Sequence, residues 1–129
     1  MNNKRLGTGF EREVCEQLRK DGFWVHFITP DMRGAQPFDI IAVKYGVALA
    51  IDCKTSKSHI FRFNRLEDNQ IMAFERWIER GNGDPLLFVK YNDDIKVVSY
   101  GRLRFANGRK VDLNKCSSYF DSSMRGERY

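Results

Sequence analysis

Asp39, Asp52 and Lys54 are the residues whose types and spacing point most directly to chemistry. Both aspartates intrude at the open end of an otherwise apolar stretch, residues 37–54, that reads as a hairpin. With Tyr45-Gly46 as a two-residue turn, Lys44 faces Val47, opposed pairs have numbers summing to 91, and Asp39 lies across from Asp52. Alternation puts Asp39, Ile41 and Val43 on one face with Ala48, Ala50, Asp52 and Lys54. Carboxylates about 5 Å apart repel by roughly 3 kcal/mol at an effective dielectric of about 20. A divalent cation reverses that sign, because two hard oxygen ligands are then held ready for Mg²⁺. Lys54 sets an ammonium beside them, able to hold a water or to neutralise charge on a phosphoryl group. Small Ala48 and Ala50 leave room over this face, either for a bulky ligand or for a covering helix. The competing reading is a frayed, solvated strand end where Lys54 pairs one aspartate, and a three-residue turn would shift the register.

Holding these groups requires a sheet and helices to cover it. Phe10, Val14 and Leu18 recur every four residues with Cys15 beside them, which predicts a helix over residues 8–21 stopped at Asp21-Gly22. Residues 24–28 read as a strand, 29–37 as a turn-rich loop, and 38–44 and 47–54 as the hairpin strands. A short strand is expected at 60–63. A second helix follows at 66–80, with Ile71, Phe74 and Ile78 on one face and Gly81-Asn82-Gly83 after it. Residues 85–91 and 95–100 form the last strand pair, around Asn92-Asp93-Asp94. The expectation is an α/β fold, a single domain with a mixed central sheet flanked by helices. After Gly101 the periodicity weakens, so residues 1–116 are taken as the packed domain and 117–129 as a polar tail without fixed structure.

Composition narrows the function classes. The 129 residues have no apolar run near the roughly 20 that a membrane helix needs, and no apolar stretch follows the basic start, so neither a membrane span nor a secretory signal is expected. Three widely spaced cysteines (Cys15, Cys53, Cys116) fit neither a disulfide framework nor a cysteine zinc site, and suggest a reducing, cytoplasmic setting. No nucleotide-binding Gly-rich fingerprint is present. The net charge is +5, and it is uneven. Residues 1–100 carry 15 Lys/Arg against 14 Asp/Glu, whereas 101–129 carry seven against three. That basic segment fits an anionic partner, most simply nucleic acid, or else a solvated end.

Asp39 followed by Asp52-Cys53-Lys54 at the end of an apolar strand resembles the PD-(D/E)xK nuclease superfamily. The N-terminal Gly7-Thr8-Gly9-Phe10-Glu11-Arg12-Glu13 is similar to the first helix of archaeal-type Holliday junction resolvases, where Glu11 matches an acidic metal ligand. Asn69-Gln70 on a helix before residues 85–91 resembles the Gram-positive recombination resolvases and their phage relatives. The resemblance spans roughly residues 5–100. Here the proline precedes Phe38-Asp39 rather than Asp directly, and the second acid is Asp52 rather than the more usual Glu. It implies a restriction-endonuclease-like fold, a homodimer, and Mg²⁺-dependent cleavage of branched double-stranded DNA in recombination and repair, with Mn²⁺ able to substitute. Asp39, Asp52 and Glu11 would hold the metal, with the Cys53 carbonyl a further ligand. Lys54 would serve the attacking water and the transition state.

Other candidates each carry two readings. Glu11 also completes a capping box with Thr8, and Glu13, on another side of the helix, is its alternate. Gln70 shares a face with Phe74 and Trp77, where it either positions a water or phosphate or bonds the backbone. Lys57, Arg62 and Arg65 after the catalytic strand, and Arg102, Arg104, Arg109 and Lys110 further on, either contact phosphates or form a solvated face. His26 and His59 are too isolated for a metal site, and Phe74, Trp77, Cys15 and Cys53 read as core. The rival functions are another nuclease of the superfamily, of restriction or repair type, and a non-catalytic DNA-binding module on the same fold.

Overall fold

Phe10, Val14, Cys15 and Leu18 are buried along one side of helix α1 (Gly9–Lys20), as the amphipathic spacing requires. In this computed structural model, which describes residues 9–29 and 36–125, α1 stops at a left-handed Gly22. There the Phe23 N–H reaches back to the Leu18 carbonyl at 3.0 Å, a glycine C-terminal cap. Six strands form the main sheet. They are β1 (Trp24–Phe27), β2 (Ile40–Lys44), β3 (Val47–Thr55), β5 (Leu86–Tyr91), β6 (Asp94–Ser99) and β8 (Ser117–Ser118), in that spatial order. Only β3 and β5 run parallel. The crossover between them carries β4 (Ile60–Arg62) and helix α2 (Asp68–Glu79). A short helix α3 (Tyr100–Phe105) leads to β7 (Lys110–Asp112), which pairs with β4 as a separate ribbon.

The sheet is covered on both sides. One face packs α1 against Ile40, Ala42, Ile51, Phe88 and Ile95; the other packs α2 through Phe74 against Ala50, Leu87, Val89 and Val98. Ala50 is fully buried there, so this small residue makes room for the helix rather than for a ligand. The mixed single-domain architecture is the one expected. Element ends differ by one or two residues, because side chains and tight turns replace the final ladder bonds. In particular, Asn92 and Asp93, both at positive φ, make a two-residue turn between Tyr91 and Asp94.

Residues 117–125 are not the loose tail read from the sequence. Tyr119 is fully buried against Phe88, its hydroxyl donates to Asp21 Oδ2 at 2.7 Å, and β8 extends the sheet beside β6. The buried Lys44 ammonium donates to the carbonyls of Asp21 and Met124 at 2.7 and 3.1 Å, tying this segment to the end of α1. One large aromatic among serines anchors the segment without any periodic signal, which is why composition pointed elsewhere. Thr8, most of the loop at 29–37, and residues 126–129 lie outside the described residues, as does the Thr8–Glu11 capping box.

Candidate active site

The hairpin register is the expected one from Lys44↔Val47 to Ile40↔Ile51, around a turn with Tyr45 and Gly46 both at positive φ. It does not continue to a direct Asp39–Asp52 opposition. The Asp39 N–H bonds the Ile51 carbonyl at 3.0 Å, and its side-chain Oδ2 accepts the Cys53 N–H at 2.8 Å. A carboxylate leaving water needs donors, and the free end of the β3 backbone supplies one. Asp39 is buried, and Asp52 is only 1% exposed. The pair nonetheless converges. Burial first, and the Asp52 charge second, push Asp39 up to about 7, with the Cys53 bond partly offsetting both. Burial also raises Asp52, against the pull of Lys54.

Two side chains hold Asp52. Lys54 Nζ lies 3.2 Å from Oδ2, and Gln70 Nε2 donates to Oδ1 at 2.9 Å. Gln70 Oε1 faces Lys54 Nζ at 3.3 Å and accepts the Glu67 N–H at 3.0 Å, closing the first turn of α2. One amide atom of Gln70 therefore caps the helix, which is the backbone-bonding reading, while the other orients the Asp52 carboxylate. The capping role was present in the sequence as Glu67-Asp68-Asn69-Gln70, an N-cap-to-N3 spacing, but placing the helix start at Leu66 hid it. Beside it, Asn69 Nδ2 donates to the Gln36 carbonyl at 3.0 Å, holding the approach to Asp39 against α2.

Asp52 Oδ2 is buried with no donor aligned on it beyond the Lys54 ion pair, and the Asp39 and Asp52 carboxyls lie close enough to interact by a side-chain hydrogen bond. An orphaned oxygen beside a second raised carboxyl is a donor set that fits a hard divalent cation. Among the described residues no group of three or more His, Cys, Asp or Glu side chains is placed to hold one, so Glu11 does not close a triad with the aspartates. Its charge still raises Asp52 and Cys53. Glu13, the alternate, is engaged by Lys90 Nζ at 2.9 Å. Burial raises the Cys53 thiol well above its usual range, which keeps it a neutral core group.

The basic candidates divide. Lys57 is exposed past the end of β3, and Arg65 Nη2 donates to the Thr55 carbonyl at 2.9 Å, one residue from Lys54. Arg62 and Lys110 face each other across the β4–β7 ribbon, with Arg109 next to them. Arg104 is instead paired with Glu75, and Arg102 reaches the Lys115 carbonyl at 3.5 Å. His59 pairs with Asp112, while Phe74 and Trp77 belong to the core.

Residues 2–119 match the family described as archaeal Holliday junction resolvase (Hjc). The chain is 32% identical over 95 residues to crossover junction endodeoxyribonuclease Hjc of Methanocaldococcus jannaschii, an alignment covering 74% of this chain and 66% of that protein. It is 28% identical over 127 residues to the Hjc of Sulfolobus acidocaldarius, covering 94% and 86%. The crystal structure of Archaeoglobus fulgidus Hjc, a Holliday junction resolvase, superposes with a TM-score of 0.62 over 81% of this chain and 85% of that one; at 23% identity this shows the shared fold. On the extent of that match, with the fold and the paired carboxylates in agreement, this chain belongs to the archaeal Holliday junction resolvase family, a family of crossover junction endodeoxyribonucleases.

Proposed function

We propose that this chain is a Mg²⁺-dependent endonuclease that nicks four-way DNA junctions by phosphodiester hydrolysis, with Mn²⁺ able to replace Mg²⁺. The observation that carries the reading is the buried Asp39–Asp52 pair with its orphaned Oδ2, set beside Lys54. Asp39 and Asp52 would hold the cation, with the Cys53 carbonyl a further ligand, while Glu11 would add negative charge nearby rather than a third carboxylate in place. When bound, the cation supplies Lewis acidity toward the phosphoryl oxygens and acidifies water. Lys54, steadied by Asp52 and Gln70 Oε1, directs its ammonium at the attacking water and at charge growing on phosphorus. Gln70 fixes the Asp52 carboxylate so that one oxygen remains for the metal. Lys57 and Arg65 flank the end of β3 and meet neighbouring phosphates.

Two symmetric nicks from a chain with one such site call for a two-fold dimer, one site per protomer. No helix among the described residues is long and apolar enough to cross a membrane, and Cys15, Cys53 and Cys116 are free thiols, which suits a cytoplasmic enzyme of recombination and repair. The test is Asp52→Asn on a synthetic four-way junction and a matched linear duplex, with and without Mg²⁺. Nicking falls by at least about a thousandfold while junction binding survives. Wild-type nicking by the variant refutes the site. Equal cleavage of linear duplex by the parent makes it a general nuclease, and binding without any cleavage makes it a binding module.

A further inference from the structure

Away from the carboxylates, the β4–β7 ribbon gathers cations that no carboxylate among the described residues neutralises. Its register sets Arg62 directly opposite Lys110, a like-charge cross-strand pair. Arg109 joins them from the turn before β7, where Gly108 and Arg109 both have positive φ, at 70° and 51°. That backbone is ordinary for glycine and strained for arginine. Its result is to lay the Arg109 guanidinium over the Phe63 ring, 4.2 Å from the centroid. The Lys110 stem passes close to the space a Gly108 side chain would fill, 3.5 Å at its Cε and 3.9 Å at its Cδ. At the end of the ribbon, between the turn that follows β4 and the turn that precedes β7, lies a cleft of about 210 Å³ lined by Arg62, Phe63, Asn64, Gly108 and Arg109. The nearest ribbon carboxylate, Asp112, is taken by His59 and by the Asn114 N–H. Among the described residues, no carboxylate pairs with Arg62, Arg109 or Lys110.

Three cations crowded around one cleft repel one another, and the strained turn adds to the cost. An anion held between them relieves the repulsion and offsets the cost of the turn. We propose that this cleft is a phosphate-binding site for the backbone of a duplex arm, formed by Arg62 and Arg109 with Asn64 as a neutral hydrogen-bonding partner and Lys110 at its rim. It rests on the reading of the chain as a junction nuclease and adds a second point of attachment, one sharing no lining residue with the Asp39–Asp52 site. A nuclease that grips an arm as well as the scissile phosphate fixes the orientation of a branched substrate, which a single metal site does not.

The test measures binding without cleavage in an Asp52→Asn background, across a salt series, for a four-way junction and a linear duplex. Arg62→Gln removes the charge of an exposed side chain while keeping it polar; Arg109→Ala and the double variant complete the set, with the exposed Arg80→Gln at α2's end as a control. Each ribbon variant weakens junction binding about threefold to tenfold and lowers the slope of log K against log salt by about 0.9, the double variant by about twice that. Single-turnover nicking at saturating junction, in protein retaining Asp52, stays within about twofold. An unchanged affinity and slope for the double variant overturns the proposal, as does an equal loss of nicking at saturation, which would put these arginines in the reaction site. Thermal stabilisation by inorganic phosphate that needs Arg62 and Arg109, with DNA binding unaffected, would make the cleft a small-anion site and also overturn it. If the parent nicks no DNA, the nuclease reading fails, yet the salt slope on linear duplex still decides the cleft. Melting of each variant, and Arg62→Gln in particular, separates lost contacts from lost folding.

Discussion

Replacing Asp39 by Asn abolishes the proposed reaction and yet stabilises the metal-free protein. Asp39 is 6% exposed and its carboxyl is pushed from 3.8 up to about 7, by burial and by Asp52. A carboxyl with a raised folded value binds its proton more tightly folded than unfolded. Its contribution is therefore complete below the unfolded value of 3.8 and is lost as pH rises through about 7. The span from 3.8 to about 7 corresponds to a ceiling of about 4 kcal/mol. Asparagine carries no charge at any of these pH values and keeps an oxygen for the Cys53 N–H, now 2.8 Å from Asp39 Oδ2. In a chelator at about pH 8, Asp39→Asn should exceed the parent by about 1–4 kcal/mol, with the gap narrowing as pH falls and closing near pH 4.

Urea unfolding followed by far-ultraviolet circular dichroism gives the two free energies from midpoints at matched slopes. Added Mg²⁺ should stabilise the parent and leave the variant unmoved, because a ligand of the folded state alone raises stability by mass action. A variant less stable than the parent in chelator at about pH 8 would refute this reasoning, as would a gap that does not narrow toward acid. Either result would mean that the aspartate charge is satisfied within the protein and has no need of a cation.

Two further outcomes follow from contacts outside the carboxylate pair. Gln70→Ala leaves the Glu67 N–H and Asp52 Oδ1 without their partner, so it should cost about 1–3 kcal/mol and lower nicking about tenfold to a hundredfold at saturating DNA; a wild-type rate would confine Gln70 to helix capping. Tyr119→Ala should cost about 3–5 kcal/mol in urea unfolding, as for other buried aromatics, and a cost below about 1 kcal/mol would return residues 117–125 to a loose tail.

The hairpin was legible because two apolar runs around a Tyr-Gly turn fix a register within the chain itself. Its one irregularity, at Asp39, was not. Whether the last rung forms depends on how far the carboxylates lie from water, and that is settled by α2 on one side and α1 on the other. The same limit hid Gln70's second contact. A capping box is local and readable, but the reach of its amide to Asp52 depends on the crossover from β3 to β5, which sequence spacing does not record. The basic residues show the limit most clearly. Seven were grouped by charge and nearness in sequence, and folding sorted them: Arg104 went to Glu75 and Arg102 to a carbonyl, while Arg62 met Lys110 across a ribbon. At Tyr119 there was no pattern to read, since a single aromatic anchor carries no period.

Charge placement of this kind opposes the fold that supports it. Asp39 and Asp52 sit where the sheet would favour apolar groups, and Arg62 and Lys110 sit where cross-strand pairing would favour opposite signs. In each case the fold meets only part of the demand: one Asp39 oxygen takes a backbone N–H and one Asp52 oxygen takes Gln70, while the other Asp52 oxygen keeps only an ion pair. The Arg109 guanidinium takes an aromatic face rather than a carboxylate. The unmet parts have opposite signs and lie on separate elements, one calling for a cation and the other for an anion. A metal ion and a phosphodiester together satisfy both, so the features that weaken the isolated chain are the same ones that a DNA junction and its metal would relieve.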